Sequence, residues 1–306
     1  MERRWSLTIT RLAASCWAIS AVLFALLPPL SHILTSGGGQ IVFQSDRTGN
    51  WDLYLMDLNS SLVYNLTRSP NNEMGPVWSQ SRKQIAFYAD HGSDHRPELA
   101  IMNLNGGNQR LLRDEGGGDW RPSWSPDARQ LVFMVGYASI RIMDVDGGNM
   151  HELTYGFSPR WSPSGSQIAF YADHPPRSLN ADIFVISTDG RDLVNLTDNH
   201  YHNWDPAWSP DGRQLAFISS RNGSASVYVM NADCGGDAQR CGTDIQQLTY
   251  STGMDAAPAW SPDGRQIAFE SQRDGYAHLY VMNADGANLH RVTFGASNNR
   301  FATWIP

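Results

Sequence analysis

Pro206-Ala-Trp-Ser-Pro-Asp-Gly-Arg-Gln-Leu-Ala-Phe217 recurs almost letter for letter as Pro258-Ala-Trp-Ser-Pro-Asp-Gly-Arg-Gln-Ile-Ala-Phe269. The Trp of this stretch belongs to a series: Trp78, Trp124, Trp161, Trp208, Trp260 and Trp304, spaced by 46, 37, 47, 52 and 44 residues. Nine residues after each of the first five stands a Phe, at 87, 133, 170, 217 and 269. A period of this length marks a repeat architecture in which each unit is one supersecondary element.

Each unit parses into four short strands. The first carries the Trp. Ser-Pro-Asp-Gly then forms a tight turn, because Pro presets φ, Asp bonds its own backbone and Gly accepts φ > 0. The second strand is the alternating Gln-Ile-Ala-Phe type, and the third is β-branched and aromatic, as in Val227-Tyr-Val-Met230 and Leu279-Tyr-Val-Met282. A second turn, Asp144-Val-Asp-Gly147 or Asn283-Ala-Asp-Gly286, leads to a fourth strand ending in Leu-Thr at 66–67, 153–154, 196–197 and 248–249. No 3.6-residue period appears between residues 40 and 306.

The ends of this region predict closure. Gln40-Ile-Val-Phe43 is a second strand without a first, and Trp304-Ile-Pro306 is a first strand without a second. Joined, they rebuild one unit, and a closed ring removes the exposed edges that an open array would leave. The expected fold is all-β: a six-bladed β-propeller of four-stranded blades over residues 40–306, with the C-terminal strand completing the N-terminal blade. Such a ring has no free edge demanding a second subunit, so a monomer is expected.

The signature Trp-Ser-Pro-Asp-Gly-Arg-Gln-Ile-Ala-Phe, followed by Leu-Tyr-Val-Met-Asn-Ala-Asp-Gly and a terminal Leu-Thr, resembles the WD40-like repeat of the TolB propellers. The resemblance covers residues 40–306. It is weaker in the second blade, where Ser79-Gln-Ser-Arg82 replaces the turn, and in the third, where Ala128 replaces Gly. It implies an exported ring that binds a protein at the cell envelope. TolB proteins also carry an N-terminal α/β domain, for which no room lies between the apolar segment described next and Gln40.

Arg3, Arg4 and Arg11 precede a stretch free of Asp, Glu, Lys and Arg from Leu12 to Ser45, most apolar from Leu12 to Leu27. This charge asymmetry predicts that residues 1–36 direct export, as a cleaved signal peptide or a retained anchor, with 37–39 as linker. Outside that segment only Cys234 and Cys241 occur. Their spacing in an exported chain predicts a disulfide closing a small loop, the alternative being two free thiols.

Composition narrows the function. In 306 residues there are 11 Trp and 27 Gly, charged residues make up 17%, and the net charge is −7. That excludes wholesale disorder, and without a basic field no nucleic-acid partner is expected. Gly-x-Ser-x-Gly, His-Glu-x-x-His and the phosphate-loop pattern are absent, so neither an enzyme nor a cofactor is expected. Asp144-Val-Asp-Gly147 lacks the later ligands of a calcium loop, and the Asn-Leu-Thr sequons at Asn65 and Asn195 fall where the repeat writes its fourth strand. Ser-x-Arg at 45/47, 219/221 and 271/273 reads as loop bonding.

Candidate binding residues come from the loops joining second to third strands and blade to blade, which must open on one face. Asp119, Trp120, His200, His202, Trp204, Asp205 and Asp255 collect there, together with His91, His95 and His174. Loops on a rigid scaffold commonly carry binding residues, and Trp contributes contact area at low entropic cost. The expected function is an exported, non-enzymatic platform for a protein or peptide partner at the envelope. The alternatives are a small-ligand or metal-binding propeller, the metal held by His200, His202 and a carboxylate, or the propeller partner of a separate peptidase.

Overall fold

The computed structural model describes residues 39–90, 96–112, 118–173, 180–232 and 241–306. Among them are 24 strands, numbered β1 to β24 in chain order, arranged in six four-stranded antiparallel sheets. No helix among the described residues is long and apolar enough to cross a membrane.

The innermost strands are β4 (Glu73–Ser79), β8 (Asp119–Trp124), β12 (Phe157–Trp161), β16 (Asn203–Trp208), β20 (Asp255–Trp260) and β24 (Asn299–Ile305). Each touches the inner strand of the blade on either side, so the sheets form a closed six-bladed propeller. Closure is made as the chain ends imply. β24 pairs antiparallel with β1 (Gln40–Ser45), which continues outward to β2 (Asp52–Asp57) and β3 (Val63–Asn65). Ile41 faces Trp304 and Gln40 faces Ile305 in that seam.

The repeated residues are the packing elements. Phe43, Phe87, Phe133, Phe170, Phe217 and Phe269 are the largest fully buried side chains, and each burial contributes about 1.5–3 kcal/mol. The apolar clusters lie between blades: Ile41, Phe43 and Trp304 of the composite blade pack on Leu279 and Val281 of the sixth. The inter-blade contact is therefore the core itself. Four of the signature indoles also tie one blade to the previous inner strand by an Nε1 hydrogen bond. Trp124 donates to the Val77 carbonyl (3.2 Å), Trp208 to Arg160 (3.1 Å), Trp260 to Ala207 (3.2 Å) and Trp304 to Ala259 (3.0 Å). The other two junctions use a hydroxyl instead, Trp161 N–H donating to Ser123 Oγ (3.0 Å) and Trp78 N–H to Thr303 Oγ1 (3.3 Å).

The turn between first and second strands has the chemistry its letters imply. Ser209 Oγ donates to Asp211 at 2.6 Å and accepts the Gln214 N–H, while Gly212 N–H closes on the Ser209 carbonyl at φ +72°. Ala128 adopts the same left-handed conformation at φ +55° without being Gly. The second blade departs by one residue: there Lys83 N–H reaches the Ser79 carbonyl, and Lys83 takes the positive φ. In the Leu-Thr pairs, Leu66, Leu196 and Leu248 are buried, and the hydroxyls of Thr67, Thr197 and Thr249 accept third-strand N–H groups. The sequon amides of Asn65 and Asn195 donate to Asp52 (2.7 Å) and Asp182 (3.1 Å), so both asparagines serve the blade. Ser-x-Arg is structural as well. Arg47, Arg221 and Arg273 each donate Nε to the Ser two residues earlier and lie over the aromatic pairs Phe43/Tyr54, Phe217/Tyr228 and Phe269/Tyr280.

Candidate functional site

Antiparallel strands fix two unlike faces. Each inner strand runs from the loop face to the turn face, so Ser-Pro-Asp-Gly and Ala-Asp-Gly turns gather on the turn face. Second-to-third and blade-to-blade connections gather on the loop face. Midway along every inner strand the register with the second strand slips, so that two residues oppose one, which is a β-bulge. The first bulged residue lies three before the signature Trp in all six blades: Gly75, Arg121, Ser158, Asp205, Ala257 and Phe301, with φ between +47° and +61°. In five blades the next residue is Pro, whose missing N–H is tolerated at a bulge.

These six residues ring the channel, and their side chains differ. Arg121 donates to Asp205 at 2.8 Å and lies 4.6 Å over the Phe301 ring. The same Asp205 oxygen accepts the Ser158 hydroxyl at 2.9 Å, and its other oxygen accepts the Ala257 N–H at 3.3 Å. Phe301 N–H donates to Glu270 (2.9 Å), and Gly75 N–H to Gln44 (2.7 Å). Burial pulls the Arg121 guanidinium down, but Asp205, Tyr88, Tyr171 and Glu270 together outweigh it and hold it above its ordinary value. Burial is the main force raising Glu270 to about 7, against the Phe301 N–H and Arg300, which favour its charged form.

From this ring to the turn face runs a cavity of about 390 Å³, lined by Pro76, Trp78, Pro126, Trp161, Pro258 and Thr303 among others, with Arg121 and Arg160 in its wall. Its volume suits a small ligand or a few peptide side chains.

Of the residues read from sequence as a binding group, Asp205 alone belongs to this channel arrangement. Trp120 packs on Tyr88 with ring centroids 5.3 Å apart, and Trp204 packs on His202 at 4.8 Å and joins the core between blades five and six. His202 Nδ1 accepts the Ala181 N–H at 3.0 Å, whereas His200 is exposed. Asp255 is wholly buried and accepts from Arg273 at 3.1 and 3.3 Å. The Asp119 side chain, His91, His95, His174 and Cys234 lie outside the described residues, and with Cys234 so does the Cys234–Cys241 pairing. Among the described residues no group of three His, Cys, Asp or Glu is placed to hold a metal ion. Arg121, Ser158, Arg160 and Glu270 went unread in the sequence. Lining up the position three before each Trp would have set the first two side by side, since in five blades it stands directly before the Pro of the inner strand and differs in every blade.

The loop face has a different character. Tyr137 (91% exposed), Tyr250 (79%) and Phe294 (67%), with Tyr201 and Met254, project from connections on that side, and Tyr155 and Tyr276 from strand ends beside them. The large exposed apolar residues of the turn face are Leu111, Leu193 and Leu289 among the described residues.

Known proteins agree with this architecture. The family model for the TolB β-propeller domain (PD40) matches residues 34–158 and 137–306. The Tol-Pal system protein TolB of Gluconobacter oxydans is 34% identical over 225 residues, covering 69% of this chain and 47% of that protein. The protein TolB homolog of Chlorobium luteolum is 30% identical over 262 residues, 83% of this chain and 57% of the relative. The crystal structure of TolB from Acinetobacter baumannii superposes with a TM-score of 0.74 at 20% identity, over 87% of this chain and 66% of that one. The chain thus spans about half the length of the curated relatives it matches. With the repeat, the ring closure and a family model covering both halves of the propeller in agreement, the chain belongs to the TolB β-propeller family.

Proposed function

We propose that this protein is an exported, non-enzymatic binding platform whose loop face holds a protein partner at the cell envelope. The observation that carries the reading is the gathering of exposed aromatics on that one face: Tyr137, Tyr201, Tyr250, Tyr276 and Phe294. Aromatic side chains are enriched in protein interfaces, where they bury much area for little conformational entropy. The blade repeat supplies a rigid frame for them, so little ordering cost is added on binding. A relative that bears the name of the Tol-Pal system supports the envelope setting. Export rests on the apolar run after Arg3, Arg4 and Arg11, and a Cys234–Cys241 disulfide is consistent with an oxidising compartment.

The test is capture from an envelope extract of the source organism, with the wild-type chain beside a Tyr250→Ser/Phe294→Ser variant. Both positions are exposed, so the fold tolerates the change. A protein retained by the wild type and lost from the variant supports the platform. Identical capture by both baits, or none by either, removes the loop face from consideration.

A further inference from the structure

The channel cavity on the turn face is chemically unlike the rest of the molecule. The chain as a whole carries a net charge of −7, yet the cavity wall contains two arginines and no carboxylate among the described residues that line it. The two arginines are also unequal. Arg121 is committed, to Asp205 at 2.8 Å on one side and to the Phe301 ring on the other. Arg160, on the neighbouring inner strand, donates one hydrogen bond, from Nη1 to the Pro159 carbonyl at 3.3 Å, and is half-buried. Among the described residues it has no ion-pair partner. Asp205, whose charge favours the protonated form of Arg160, already accepts from Arg121, Ser158 and the Ala257 N–H. Burial and the like charge of Arg121 push Arg160 down to about 10, which still leaves it cationic at neutral pH.

A guanidinium held in a concave, partly dehydrated wall without a counter-ion presents a planar fork of N–H donors suited to a planar anion. We propose that the turn-face mouth of the channel is a carboxylate-binding site, in which Arg160 receives the anion beside the Trp161 and Pro126 surfaces. The charge balance favours a carboxylate over a phosphate. With Arg121 neutralised by Asp205, one positive charge is left over, matching a monoanion. Ser123 lies in the same wall, and since its Oγ accepts the Trp161 N–H, its own O–H is left to donate to the second ligand oxygen. The indoles and prolines around the mouth offer an apolar rim to whatever bears the carboxylate, either a free small acid or an acidic peptide side chain. This site is on the face opposite the aromatic loops, so it stands or falls apart from the partner reading above.

The experiment follows the tryptophan fluorescence of the full chain, since Trp78, Trp124 and Trp161 line the cavity. It is titrated with N-acetyl-leucine as the free acid, with the peptide acetyl-Ala-Glu-Ala-amide, and with inorganic phosphate. We expect saturable binding of at least one carboxylate probe, weakened at least about tenfold by Arg160→Gln, and by less than about twofold by Arg213→Gln, which removes the same charge from an exposed turn. Preference for acetyl-leucine or for the peptide assigns the source of the carboxylate. Arg160→Lys, which keeps the charge but loses the fork, is expected to fall between. The Arg160 carbonyl that accepts from Trp208 is untouched by these changes, and matching thermal melts check the fold. No saturation by either carboxylate at millimolar concentration overturns the proposal, as does tighter binding of phosphate, or equal binding by Arg160→Gln.

Discussion

The turns on one face and the bulges half a strand away make an instructive pair. At the Ser-Pro-Asp-Gly turns, backbone and side chains repeat together: Ser125, Ser209 and Ser261 each donate to the Asp two residues on, at 2.6 to 2.7 Å. At the bulges the backbone repeats just as faithfully, with φ near +50° in every blade, but the side chains are Gly, Arg, Ser, Asp, Ala and Phe. A repeat constrains the positions that fold the blade and join it to its neighbour. A position that folds by backbone alone and faces the channel escapes that constraint, and there one blade can be made chemically different from the next. The five non-Gly residues also hold a left-handed conformation that L-residues disfavour by about 1–2 kcal/mol each, so the channel chemistry is carried on a locally strained ring.

Breaking the ring at its most connected member is expected to cost most. Asp205→Ala leaves Arg121 without its carboxylate and strands the Ser158 hydroxyl and Ala257 N–H, and removing one partner of a buried ion pair costs about 3–5 kcal/mol. Urea unfolding should read a loss in that range, and Asp205→Ala/Arg121→Met should recover much of it. A double variant no more stable than the single one would mean that the ion pair is not what Asp205 supplies.

The two regions also answer pH in opposite senses. Hydrogen bonds from Ser125, Ser209 and Ser261 are the main cause holding Asp127, Asp211 and Asp263 below their ordinary range. Their contribution is present above the unfolded value near 3.8 and is lost as pH falls through the lower folded value. Glu270 runs the other way. Burial raises it from 4.5 to about 7, so its contribution is complete below 4.5 and is lost as pH rises through about 7. Glu270→Gln keeps an acceptor for the Phe301 N–H but cannot ionise. The variant should therefore gain stability over the wild type between pH 4.5 and 8, by on the order of 3 kcal/mol at most. A wild-type-minus-variant difference that stays flat with pH would show that Glu270 is ionised throughout.

The blade plan was legible because its carriers are side chains of fixed type at fixed spacing: Trp for the junction, Phe nine residues on for the core, Asp-Gly for the turn, and orphan half-units at the two ends for closure. The channel was legible only at Asp205. Arg121 and Arg160 sit inside the signature strand, where a reader following the repeat sees noise around Trp. The residues that attracted notice, Trp204, His202 and Asp255, are polar or aromatic groups whose partners lie in other segments: His202 with the Ala181 N–H, Asp255 with Arg273. Composition reveals that such groups are present. It does not reveal that each is already satisfied, because satisfaction depends on contacts between neighbouring strands, as for Asp255, or between blades, as for His202.

The bulge ring itself can be probed through its two smallest members. Gly75 has φ +61°, and a Cβ there would meet Tyr88 Cε1 at 2.3 Å, so Gly75→Ala combines left-handed strain with overpacking and should cost about 2 kcal/mol. Ala257 holds nearly the same conformation with a side chain already present, φ +47°. Ala257→Gly relieves that strain but frees the unfolded chain, two terms of about 1 kcal/mol that nearly cancel. Thermal melts of the pair should therefore separate clearly, and equal effects would remove the argument that Tyr88 dictates glycine at 75.

Small losses are expected at the two hydroxyl-bridged junctions, and they sharpen the contrast between a repeated and a local solution. Four junctions are tied by an indole N–H; the third-to-fourth and first-to-second junctions rely on Ser123 and Thr303. Ser123→Ala removes the acceptor of the Trp161 N–H, a bond of 3.0 Å at a buried site, and should cost about 1 kcal/mol. Thr303→Val keeps the shape of the side chain and removes a longer bond of 3.3 Å, so about 0.5 kcal/mol is expected. The order matters more than the sizes. If Thr303→Val proved the more damaging, the seam between β24 and the second blade would depend on that hydroxyl more than its length implies.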